Sequence, residues 1–167
     1  VHPLVVTLAL EAEVQERFDA ERARWGPTGR SEVGAHVTLF RCLPGELEEQ
    51  VRVDLVQHAG PPFPVGVAGV LPLSGGAAYA LAAPELARRQ RVLQRLWWAD
   101  LTAQDRQGFR PHITVQKKVS PAEARATVTV LRRAFRPFQV RAEGYQLWRD
   151  DGGPWSELAR IPFGERF

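Results

Sequence analysis

Apolar and polar positions along this chain follow two rhythms. Leu4-Val5-Val6-Thr7-Leu8-Ala9-Leu10 is a short apolar run between Pro3 and Glu11, and its length predicts a buried strand. From Glu11 to about Trp25 the spacing changes: Val14, Phe18 and Trp25 fall on one helical face among charged residues, which predicts an amphipathic helix. Helical spacing recurs at Leu47, Val51 and Leu55, again at Leu86, Leu93 and Trp97, and a fourth time at Ala124, Val128, Leu131 and Phe135. Pro84 suits the first turn of the third helix, and Ser120-Pro121-Ala122-Glu123 has capping-box spacing at the head of the fourth. Strands are predicted over 63–71, 77–82, 138–148 and 155–163, turned at Pro72–Gly76 and Asp150–Gly153.

Two shorter segments match each other. Ala35-His36-Val37-Thr38-Leu39-Phe40 and Phe109-Arg110-Pro111-His112-Ile113-Thr114-Val115-Gln116 both read His, apolar, Thr, apolar. On a strand each would place its His and Thr on one face and its apolar pair on the other. Two of only four histidines fall in this pattern, 76 residues apart, and Phe63 and Gly69 recur 75 residues later as Phe138 and Gly144. That register predicts an internal duplication, roughly 11–82 and 84–163, within one bilobal domain spanning 1–167. Helices alternating with hairpins predict an α+β fold, with antiparallel sheets facing a central cleft and helices outside.

Composition adds little. With 167 residues and 44% hydrophobic content the chain is long enough for a proper core. A single Cys42 excludes an intrachain disulfide and suits a reducing compartment. No apolar run reaches the length of a membrane span and no signal-peptide pattern is present, so a cytoplasmic protein with no membrane partner, acting as a monomer, is expected. The net charge of +3, carried mainly by arginine, suits phosphate or nucleic-acid partners without specifying them.

The paired motifs carry the chemistry. An imidazole with a pKa near 6.5 can be neutral or charged around neutral pH, and facing histidines can remove one proton while donating another. Two threonine hydroxyls on the same face are donors suited to phosphoryl oxygens on which charge develops. A lone His on a strand is more often structural, and Thr is a good strand former; strand propensity does not explain why both recur in phase. A zinc site would need more His, Cys or carboxylate ligands than these motifs offer, so neither metal nor other cofactor is expected.

His36-Val37-Thr38-Leu39 and His112-Ile113-Thr114-Val115 resemble the paired H-x-T/S-x motifs of the two-histidine phosphoesterase superfamily. Phe109-x-Pro111-His112-Ile113-Thr114 is especially similar to its bacterial 2′-5′ RNA ligase-like branch. The resemblance implies a bilobal α+β fold and metal-independent opening of 2′,3′-cyclic phosphates, on RNA or nucleotides, to 2′-phosphomonoesters, with reversible 2′-5′ joining of RNA. It implies His112 as base and His36 as acid, roles that exchange between the two reaction directions, with Thr38 and Thr114 on the phosphoryl oxygens. Lys117 stands where relatives often carry arginine, and simple alternation puts it on the face opposite His112. Phe40, on the face of His36 by the same alternation, is a candidate to stack on a base; Phe109, Arg110 and Arg30 are further substrate candidates. A phosphodiesterase for small cyclic-phosphate nucleotides, an RNA-binding module with an unused site, and a protein-interaction role are the competing readings.

Overall fold

The computed structural model describes residues 1–26 and 33–164. In chain order the elements are β1 (Leu4–Leu10), α1 (Ala12–Trp25), β2 (Val37–Leu43), α2 (Glu48–Gln57), β3 (Phe63–Leu73), β4 (Gly76–Ala82), α3 (Pro84–Leu96), β5 (His112–Gln116), α4 (Pro121–Ala134), β6 (Phe138–Arg149) and β7 (Ser156–Pro162). Short 3-10 turns at Gly45–Leu47 and Trp98–Asp100 precede α2 and follow α3. At α4 the Ser120 hydroxyl accepts the Glu123 amide at 3.1 Å, satisfying an N–H that the helix itself leaves open. The turn into β7 passes through Gly152 at φ +94°, a backbone region that side chains disfavour.

All strand pairings are antiparallel, and the two expected sheets are joined into one in the order β2-β1-β6-β3-β4-β5, with β7 against β6. That order maps onto itself when β2 is exchanged with β5, β1 with β4, and β6 with β3. Its centre is the Val65–Val140 pair, flanked by Phe63–Ala142 and Val67–Phe138. Val65 and Val140 are themselves 75 residues apart, the spacing of the sequence repeat. The recurring unit is therefore strand, helix, strand, helix, strand, β1 to β3 and again β4 to β6, with β7 added. The division at 11–82 and 84–163 starts each unit one strand late, because the opening strand of the second unit is also the return strand of the β3–β4 hairpin.

Helices cross between the halves. Phe18 of α1 packs on Tyr79 and Phe138 behind the half that carries β5. Conversely, α3 lies behind β2: Gln90 donates to the Leu39 carbonyl, and Trp97 meets the Phe40 ring edge-on at 4.9 Å. Trp97 also donates its indole N–H to Asp54 of α2 at 2.9 Å. The core sits between these helices and the sheet face formed by Leu4, Val6, Leu8, Tyr145 and Leu147 in one half and Tyr79 and Ile113 in the other, all nearly inaccessible. Among the described residues no helix is long and apolar enough to cross a membrane.

Candidate active site

The two ends of the sheet path, β2 and β5, come back to within 8 Å of each other between Cα atoms. The strands that carry the matched motifs thus lie edge to edge, although β2 and β5 sit at opposite ends of the pairing order. Two further ties hold them. On α1, Gln15 donates to the Ala35 carbonyl at 2.6 Å and Asp19 accepts the Ala35 amide at 2.7 Å, while Arg22 donates to the Thr114 carbonyl at 3.1 Å. One helix therefore grips the residue before the first histidine and the backbone of the second motif. From the segment ahead of β5, the buried Asp105 carboxylate accepts the backbone amides of Arg41 and Cys42 at 2.9 to 3.1 Å.

Each histidine is oriented by its own backbone. His36 Nδ1 lies 2.7 Å from the Gly34 carbonyl and His112 Nδ1 lies 2.8 Å from the Arg110 carbonyl, two residues back in both cases. A carbonyl only accepts, so Nδ1 carries the proton in both rings, and Nε2 is left to exchange protons with a ligand. The Thr38 and Thr114 hydroxyls are partly exposed and engage no partner among the described residues, which leaves both available to an anion.

Both motif strands break alternation at the same point. Thr38 pairs with Thr7, but the next pair is Phe40 with Val6, so Leu39 is an extra residue on β2. Likewise Thr114 pairs with Ala78 and Gln116 with Ala77, so Val115 is extra on β5. A bulge of this kind turns the side chains that follow it to the other face until the register shifts again, as it does on β2 between Phe40 and Leu43. Phe40, 0% exposed, consequently joins the core against Trp97, and the stacking role expected from simple alternation is corrected. Gln116 is likewise turned inward, where its amide donates to the Trp25 carbonyl and to Thr127. The same shift corrects the placement of Lys117: it and Arg41, each five residues after a histidine, come to the His/Thr side, and the charges of both act on His36.

Cations and aromatics give the site its electrostatics. Burial above all, and then the positive charges of Arg22, Lys117 and Arg41, push the His36 imidazole down to about 4, against the opposing pull of its Gly34 bond. Trp155, in the β6–β7 turn, supplies part of that burial: its ring lies 4.8 Å from the His36 ring, and the Arg41 guanidinium lies 5.1 Å over it. Arg41 is fixed by Asp150 at 2.9 Å, and Asp150, held below the usual carboxylate range by the Gly152 amide and then by Arg41, stays charged. Lys117 is also lowered, first by desolvation and then by Arg22, Lys118 and Arg41. Three cations, Arg22, Arg41 and Lys117, beside a neutral imidazole make a place for an anion.

Of the other substrate candidates, Arg110 is exposed beside His112 and holds it through its carbonyl, whereas Phe109 packs partly buried against the core. Arg30 lies outside the described residues. Sequence reasoning missed Arg22, Arg41, Asp105 and Trp155. The duplication offered a signal for Arg41, which stands five residues after His36 as Lys117 stands after His112; nothing local marked the others.

Solved structures share this fold across almost the whole chain. The crystal structure of TT0787 of Thermus thermophilus is 19% identical, with a TM-score of 0.68 over 98% of this chain and 100% of that one. E. coli LigT complexed with 3′-AMP is 19% identical with a TM-score of 0.64, covering 98% of this chain and 99% of its own. A structure described only as a phosphoesterase is 16% identical with a TM-score of 0.62, over 98% and 99% of the two chains. None of the curated proteins matches this chain in sequence. The model of the 2′-5′ RNA ligase superfamily matches residues 10–154, both His/Thr segments included, so the chain belongs to that superfamily and is an enzyme of the two-histidine phosphoesterase kind.

Proposed function

We propose that this protein is an RNA 2′,3′-cyclic phosphodiesterase that opens cyclic phosphate ends to 2′-phosphomonoesters without a metal, and that also runs 2′-5′ ligation of RNA in the same site. The observation that carries this reading is the pair of imidazoles locked as Nδ1–H by their own backbones, with Nε2 free, on strands set edge to edge beside two unengaged threonine hydroxyls. E. coli LigT has been solved with 3′-AMP, with phosphate and with ATP, and a ligand of that class suits the cationic surroundings here.

In the proposed step a water oxygen attacks phosphorus and passes a proton to one Nε2. The P–O3′ bond breaks, its electron pair stays on O3′, and O3′ takes a proton from the other Nε2. His36, kept unprotonated at neutral pH, accepts from water, while the donor ring must enter the step as the imidazolium, because Nδ1 holds the neutral ring's one proton; in this role His112 gives its Nε2 proton to O3′ and the two rings end with their charges exchanged. This exchanges the roles that the family resemblance implies, because burial and then three cations hold His36 neutral, with the Trp155 ring against it. Thr38 and Thr114 donate to the non-bridging oxygens, and Lys117 and Arg41 offset the growing charge. In ligation a 5′-hydroxyl replaces the water.

Turnover of nucleoside 2′,3′-cyclic phosphates and of cyclic-phosphate-ended RNA, in EDTA, tests the reading. The wild type is expected to yield the 2′-phosphate, and His36→Ala and His112→Ala each to lose about 10²-fold or more. No turnover by the wild type, or formation of the 3′-phosphate, refutes it.

A further inference from the structure

The half of the sheet that carries His36 continues the polar row of its motif, and the other half does not. Thr38 pairs with Thr7, Thr7 with Gln146, and Gln146 with Arg160, so four polar side chains cross β2, β1, β6 and β7 on one face. The equivalent row in the other half runs Thr114, Ala78, Leu71 and carries nothing polar beyond the motif threonine. The duplicated scaffold therefore does not account for Gln146 and Arg160.

Gln146 ends a short chain of hydrogen bonds. The Trp148 indole N–H, which only donates, gives its hydrogen to Thr7 Oγ1 at 2.8 Å, and the Thr7 hydroxyl passes its own to Gln146 Oε1 at 3.4 Å. The Gln146 amide nitrogen is left without a partner among the described residues, at the edge of a cavity of about 240 Å³ that Arg160, Gln15, Glu16 and Ala9 also line. Gln15 spends its amide hydrogens on Asp19 and on the Ala35 carbonyl, so its oxygen remains open. Gln15 thus links the cavity to the residue before His36. Glu16 engages no cation among the described residues. Donors (Gln146 Nε2, Arg160) and acceptors (Glu16, Gln15 Oε1) thus meet in a space smaller than the roughly 300–1,000 Å³ of a site for a whole drug-sized ligand.

We propose that this cavity is a nucleobase subsite that selects guanine on the nucleoside bearing the cyclic phosphate; it rests on the reaction proposed above. Guanine presents a keto acceptor beside two adjacent N–H donors, which matches an amide N–H and a guanidinium set against a carboxylate. Strand spacing puts Gln146 about 10 Å from Thr38 and Arg160 about 14 Å away. That is the reach of a nucleoside from its ribose phosphate to the far edge of its base. Cytosine, uracil and adenine each lack the paired donors that a carboxylate accepts together.

The test is calorimetric binding of the four nucleoside 2′-monophosphates to the wild type, Gln146→Leu and Arg160→Ala, alongside turnover of the four 2′,3′-cyclic phosphates. Guanosine 2′-monophosphate is expected to bind at least about tenfold more tightly than the next base, and the ratio to fall below about threefold in both variants. Arg160 is exposed on the outer strand, so its removal reports on the base even if Gln146→Leu disturbs Thr7 and Trp148. Equal affinities in the wild type, or a guanine preference that survives in both variants with native circular dichroism, overturns the proposal. A guanine preference in binding without turnover upholds the subsite and removes the reaction; turnover of all four with equal binding upholds the reaction and removes the subsite.

Discussion

Replacing Trp155 with alanine tests how the site sets its own protonation state. In the native protein burial is the largest cause of the low His36 value, and the Trp155 ring lies 4.8 Å from the imidazole. Alanine lets water reach one face of His36 while Arg22, Arg41 and Lys117 stay in place. The imidazole then rises from about 4 but remains under its ordinary 6.5, because the cations still oppose the proton. The linked stability change follows with a definite sign. A His lowered on folding binds fewer protons than in the unfolded chain between about pH 4 and 6.5, so native stability rises with pH across that window and is lost as pH falls through it. The fall from 6.5 to about 4 is worth at most about 3 kcal/mol at neutral pH, with partial solvation of the ring reducing it. Two assays read the effect: NMR titration of the His36 ring carbons, and urea unfolding at pH 4.5 and 7. In Trp155→Ala the midpoint moves up and the difference between the two pH values shrinks. A wild-type His36 midpoint above about 6, or one that Trp155→Ala leaves in place, refutes the reasoning.

Phe40→Ala should cost about 3–5 kcal/mol of stability by urea unfolding while leaving KM for cyclic phosphates unchanged in the folded fraction, since the ring is wholly buried against Trp97; a rise in KM without loss of stability would restore the stacking role. Asp105→Ala removes the acceptor of the Arg41 and Cys42 amides and should cost about 2–5 kcal/mol, with faster hydrogen exchange at those two amides. Unchanged exchange there would show that the carboxylate does not hold the bulge.

The local chemistry of this protein was legible in its sequence because the information is itself local. Helical periodicity marks α1 to α4, apolar runs mark the strands, and the phase of two His/Thr pairs marks both the duplication and the residues proposed for catalysis. The Val65–Val140 pair at the centre of the sheet has the same spacing as the sequence repeat, so even the symmetry was written in the residue numbers. Tertiary structure decided which residues accompany the histidines. Alternation predicts faces only while the register holds; the extra residues Leu39 and Val115 reverse it, sending Phe40 inward and bringing Arg41 and Lys117 to the site. A bulge depends on the partner strand as much as on its own, and no single segment reports it. Arg22, Asp105 and Trp155 reach the site across 92, 64 and 119 residues of chain, measured to Thr114, Arg41 and His36 respectively. Only the closing of β2 onto β5, with α1 braced across both, brings their charge and bulk to the imidazoles.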